Sequence, residues 1–153
     1  TPCGTLFPYT TLFRSDALVF LDAACSTCPL PLIVRLPFDG VERLALPLVE
    51  AGVDALTFTA PPRGRLPHPA GEASPDMVRG RLYGPALFPI LLQRLTQWAE
   101  RLPVPLIACG GIRTSEEARA CLDAGATAVQ VDALLWRDPR LLTRVARALD
   151  ESD

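Results

Sequence analysis

An α/β chain built on a parallel sheet is what this sequence predicts, and three observations predict it. Short, nearly unbroken apolar runs at residues 32–36, 55–59, 104–109 and 127–131 alternate with stretches of helical period. Such runs fit strands covered on both faces, as parallel strands are. Two segments echo each other: Leu48-Val-Glu-Ala-Gly-Val-Asp-Ala-Leu56 and Cys121-Leu-Asp-Ala-Gly-Ala-Thr-Ala-Val129. Each places an Ala-Gly helix stop three residues before a strand, and a repeated helix-to-strand joint means a repeated βα unit. Finally, residues 103–132 run strand, Gly-Gly, capped helix, Gly, strand, which is a βαβ unit.

In chain order, residues 1–15 are expected to be a non-native lead. Thr5-Leu-Phe-Pro-Tyr-Thr-Thr-Leu-Phe-Arg-Ser15 resembles the conceptual translation of a common sequencing adapter. A signal peptide does not fit, because no charged n-region precedes a sustained apolar core. The gene is therefore expected to be cut near Asp16, with residues 16–150 forming the C-terminal part of something longer. Residues 16–25 predict a helix with an apolar stripe, and 32–36 a buried strand carrying one charge, Arg35. Residues 39–51 predict an amphipathic helix stopped by Gly52, and 55–59 the next strand. Residues 60–83, rich in Pro, Gly and Arg, predict a long connection of the kind that is functional or disordered. Residues 85–101 predict a helix with proline in its first turn. Thr114 stands three residues before Glu117, a capping-box spacing, and that helix should stop at Ala124 with Gly125 at C′. Residues 139–149 predict a closing amphipathic helix.

The count is four strands, each followed by a helix, plus a leading helix. That is the C-terminal half of a TIM (β/α)8 barrel, whose sites lie at the carboxyl ends of its strands. A doubly wound sheet is the competing architecture, and against it no G-x-G-x-x-G follows any strand. Gly110 and Gly111 sit at such a carboxyl end, beside a helix N-terminus. Bare backbone N–H groups there suit a phosphate, and a tight turn would equally use them.

Composition narrows the chemistry. With 153 residues, 49% hydrophobic and 21% charged, the chain suits one globular domain. No apolar segment approaches the ~20 residues of a membrane helix. A net charge of -2 without a basic stripe argues against nucleic acid. There is no lysine, which excludes a Schiff-base lysine in these residues, and the one histidine, His68, disfavours a histidine metal site. Five cysteines, an odd count, point to a reducing compartment such as the cytoplasm. Cys25 and Cys28 have redox spacing but no second pair, and read as ordinary thiols; Cys109 and Cys121 read as core.

Three motifs carry a resemblance. Gly80-Arg-Leu-Tyr-Gly-Pro-Ala-Leu-Phe-Pro-Ile90, Pro105-Leu-Ile-Ala-Cys-Gly-Gly-Ile112, and Ala124-Gly-Ala-Thr-Ala-Val-Gln-Val131 with Asp138-Pro139 resemble dihydroorotate dehydrogenases, over essentially all of residues 16–149. The Ala-Val-Gln-Val ending is more similar to the soluble branch of that family. The resemblance implies an FMN-dependent barrel oxidising dihydroorotate to orotate. By position, Gly110 and Gly111 would offer amides to the FMN phosphate, and Gly84 would let the chain approach the flavin. Arg35 stands in place of a strand lysine at the flavin ring, where a cation stabilises reduced flavin. Asp132 and Ala133 replace the Gly-Thr pair that completes the phosphate cup. A carboxylate ~4 Å from a phosphate would cost about 4 kcal/mol per charge at a dielectric near ~20. Asp132 is therefore expected to point away, to protonate, or to meet an arginine such as Arg113 or Arg137.

Two further departures stand out: Ala60-Pro61 where the family has a substrate-gripping Asn-Thr, and Gly80-Arg81 where it has Gly-Gly. The family's catalytic Cys or Ser is expected upstream of Asp16, so no catalytic residue is assigned here and the chain alone is expected to be catalytically incomplete. The alternative expectation is a divergent, non-redox, phosphate-binding barrel. Half a barrel also leaves two unpaired strand edges, which invite aggregation or a homodimer.

Overall fold

The computed structural model describes residues 14–67 and 77–151. Most of the lead assigned to residues 1–15, and His68, lie outside the described residues; Arg14 and Ser15 open the first helix. The elements run α1 Arg14–Thr27, β1 Ile33–Arg35, α2 Val41–Glu50, β2 Ala55–Phe58, β3 Arg63–Leu66, β4 Val78–Arg81, α3 Leu87–Trp98, β5 Leu106–Cys109, α4 Ser115–Asp123, β6 Ala128–Gln130 and α5 Leu141–Asp150. A single 3-10 turn, Ala133–Trp136, separates β6 from α5.

Four strands form one parallel sheet in the order β1-β2-β5-β6, and each is followed by a helix. This is the partial α/β barrel that the sequence predicts. Register fixes its two faces. Val34 pairs with Leu56 and Leu56 with Leu106, so these side chains share the outer face with Phe58 and Ala108. That face is buried against the helices through Leu48, Leu91, Leu95, Trp98 and Cys121. Leu36, Leu56 and Phe58 are wholly inaccessible, and burying each such side chain stabilises the fold by roughly 1.5–3 kcal/mol. The inner face carries Arg35, Thr57, Ile107 and Ala128 in one row, and Cys109 and Gln130 in the next.

The two Ala-Gly joints have the same geometry. The Gly52 N–H donates to the Val49 carbonyl and the Val53 N–H to Leu48; the Gly125 N–H donates to Leu122 and the Ala126 N–H to Cys121. Both are Schellman stops, with Gly52 at φ 92° and Gly125 at φ 95° supplying the left-handed residue.

Three expectations need correction. The long connection at residues 60–83 contains an antiparallel ribbon, β3 with β4, in the register Arg63–Arg81, Gly64–Gly80, Arg65–Arg79. All four arginines therefore share one face, so no apolar alternation marks these strands in the sequence. β1 is less buried than its apolar run suggests, because it lies at a sheet edge and Ile33 is 55% exposed. The stripe expected on α1 is only partly used: Leu21 is buried while Val19 and Phe20 are exposed.

Candidate functional site

The carboxyl ends of β1, β2, β5 and β6 open into a cavity of about 410 Å³. Arg35, Gly84, Gly110, Gly111, Asp132 and Ala133, which the sequence singles out from four separate segments, all line it. Thr59, Cys109, Gln130, Arg113 and Arg137 line it as well.

Arg35 organises the floor. Its Nη2 donates to Asp132 Oδ2 at 3.1 Å, to Cys109 Sγ at 3.0 Å and, more weakly, to the Thr59 carbonyl at 3.5 Å. One nitrogen thus ties the first strand of the sheet to residues following the second and fourth and to the end of the third. Flat strands ~4.8 Å apart would leave β1 and β6 ~14 Å from each other. The reach of arginine and the curl of a barrel sheet close that gap. The Arg113 or Arg137 partnership expected for Asp132 is therefore corrected to Arg35. Arg113 is engaged elsewhere, on Glu117 at 2.7 Å.

Gly110 and Gly111 do different work. Gly110, at φ 135°, has open space where a Cβ would stand, so its backbone faces the cavity unscreened. Gly111, at φ 73°, is glycine for a packing reason: a Cβ there would lie 2.5 Å from the Phe88 nitrogen at the start of α3. Helix α4 begins at Ser115, behind its N-cap Thr114. Thr114 Oγ1 accepts from the Glu117 N–H at 3.2 Å, and Glu117 reaches back to the Arg113 N–H at 2.6 Å. This is a capping box whose return bond is shifted one residue outward. Partial burial pushes the Glu117 carboxyl up, but the hydrogen bonds and charge of Arg113 outweigh it and hold the carboxyl below its usual range.

Cys109 is buried under the cavity floor. Burial raises its thiol to about 11, with Arg35 opposing and Asp132 adding to the rise. It stays protonated near neutral pH and is unsuited to act as a nucleophile or base. Of the three arginines lining the cavity, Arg35 pairs with Asp132 and Arg113 with Glu117, which leaves Arg137 as positive charge beside the unscreened Gly110 backbone, a lining suited to an anionic group rather than a cation. Among the described residues no cluster of three or more His, Cys, Asp or Glu is placed to hold a metal, and no helix is long and apolar enough to cross a membrane.

Sequence reasoning missed Thr59 as a lining residue, named Arg137 only as a candidate partner for Asp132, and placed Cys109 only in the core. Cys109 and Thr59 could have been found from strand alternation, since each stands in the inner-face series of its strand; Arg137 follows an irregular turn and carries no such signal.

An open parallel α/β half-barrel with a cavity at the carboxyl ends of its strands defines the class of β/α barrels. The sequence model of dihydroorotate dehydrogenase matches residues 68–152, more than half of the chain. This chain belongs to the dihydroorotate dehydrogenase family. It is 35% identical over 125 residues to the dihydroorotate dehydrogenase B (NAD(+)) catalytic subunit of Citrifermentans bemidjiense, covering 79% of this chain and 41% of that protein. It is 34% identical over 122 residues to dihydroorotate dehydrogenase A (fumarate) of Lacticaseibacillus paracasei, covering 78% and 42%. The dihydroorotate dehydrogenase structure of Eimeria tenella in complex with ferulenol superposes with a TM-score of 0.68 at 24% identity, over 90% of this chain and 44% of that one, a likeness of fold. The chain spans about half the length of the curated relatives it matches.

Proposed function

We propose that this chain supplies the phosphate-binding half of an FMN site in an oxidoreductase that converts dihydroorotate to orotate in pyrimidine synthesis. Residues 16–150 form the barrel portion and residues 1–15 a lead that takes no part. The observation that carries the reading is the meeting of Arg35, Gly84, Gly110, Gly111, Asp132 and Ala133 around one cavity, from positions up to 98 residues apart.

When bound, FMN supplies a two-electron acceptor for the hydride leaving the substrate ring. The Gly110 and Gly111 backbone would hold the phosphate, with Arg137 adding positive charge. Arg35 would present a cation to the flavin, in place of the family's lysine and with a broader, planar head. Cys109 keeps its proton, so the base that deprotonates the substrate comes from outside these residues. The working protein is cytoplasmic and small-molecule directed, with no nucleic-acid or membrane partner; two copies pairing through their open edges is the assembly proposed for the isolated chain.

Asp132 and Ala60 favour a second reading, a divergent barrel that takes another phosphorylated ligand without redox chemistry. The test is expression of the complete gene. Flavin absorbance and its bleaching by dihydroorotate are expected; a colourless protein stabilised equally by unrelated phosphates supports the second reading instead.

A further inference from the structure

Asp132 is the one acidic side chain among the described residues that line the cavity. Its backbone is fixed: the Asp132 carbonyl accepts from the Leu135 N–H at 3.1 Å and starts the 3-10 turn. Its side chain is not. It holds Arg35 through a single nitrogen, and both partners are about one-third exposed, 34% and 32%. Pairs this open to water are weak and exchange readily. A guanidinium has five N–H donors and binds phosphate as well as carboxylate. An anion arriving in the cavity therefore meets a cation already engaged by the protein's own carboxylate.

We propose that Asp132 is a built-in competitor for anionic ligands, a tethered carboxylate that occupies Arg35 and sets how strongly the cavity takes a phosphate. The proposal rests on the reading that the cavity binds a phosphate-bearing ligand, and deepens it. Binding of the anion turns Asp132 away from Arg35 or leaves the two negative charges side by side, and either outcome weakens affinity. Selectivity shifts accordingly, against ligands of high negative charge and in favour of neutral analogues of the same shape.

The test uses the full-length chain with Asp132→Asn, and Asp132→Ser to guard against a new asparagine contact. FMN, riboflavin and inorganic phosphate are titrated by calorimetry, with thermal melting to establish folding. Removing the carboxylate is expected to tighten FMN and phosphate by about tenfold and riboflavin by clearly less, the pattern of a lost like-charge repulsion. Equal or weaker FMN binding in both variants overturns the proposal and leaves the flavin reading intact. A tighter phosphate response without any FMN binding supports the competitor and sinks the flavin reading. No response to FMN or phosphate in any of the three proteins overturns both.

Discussion

Cys109 and Cys121 have no measurable exposure, Cys25 is exposed and Cys28 is half-buried. Burial raises both inner thiols to about 11, Arg35 lowering and Asp132 raising the first, Glu117 raising the second. Between pH ~9 and ~11 the unfolded chain loses these protons while the folded chain keeps them, so stability falls as pH rises through that window and is intact below it. The urea midpoint is expected to hold to pH 8 and to drop by pH 10. Iodoacetamide at pH 8, followed by peptide mapping, is expected to label Cys25 first, Cys28 more slowly, and Cys109 and Cys121 only after denaturation. Labelling of Cys109 at the rate of Cys25 would contradict a sealed floor. Arg35 was legible as the lone charge in an apolar run, but its partner was not. Asp132 lies 97 residues away, and sequence nearness favoured Arg113 and Arg137.

Helix α4 shows how much an element's ends can reveal. Thr114, Glu117 and Gly125 predicted its limits because each satisfies a particular orphan group: the Glu117 N–H, the Arg113 N–H and the terminal carbonyls. Thr114→Ala is expected to cost about 1 kcal/mol in urea unfolding, the usual value of a capping hydroxyl. The Glu117 carboxyl, held below its usual range, contributes stability above the unfolded pKa that is lost as pH falls through the folded one. Acid titration of Glu117→Gln should therefore show a shallower loss below pH ~4 than the parent, and identical slopes would show that the Arg113 bond is not made. The ribbon β3–β4 was illegible for the converse reason. Arg-Gly-Arg facing Arg-Gly-Arg has no apolar alternation, and the ribbon's one apolar cross-strand pair, Leu66 with Val78, stands at its far end.

Across the whole molecule, parallel strands were legible because their period and repeated joints are local, while the curl that brings β1 toward β6 depends on contacts no local pattern records. The sheet ends at two edges. Leu32 and Leu36 take the hydrogen bonds of β2, accepting from Ala55 and donating to Thr57. By alternation Ile33 and Arg35 direct their backbone groups outward, where no strand among the described residues meets them. Ile33 adds an exposed apolar side chain to that edge. An open edge of this kind recruits a further strand, from the remainder of a longer barrel or from a second copy. For the isolated chain, sedimentation should show concentration-dependent association. Because β1 and β6 run parallel within one curled sheet, the pairing expected is β1 of one copy on β6 of its partner, twice over, which returns eight strands to a closed ring. Ile33→Lys places a charge on the edge without touching the β2 ladder, so it should abolish association while leaving the melting temperature of dilute protein within a few degrees. Unchanged association in that variant would move the contact away from β1, to the exposed ribbon or to Trp136, which is 92% exposed beyond β6.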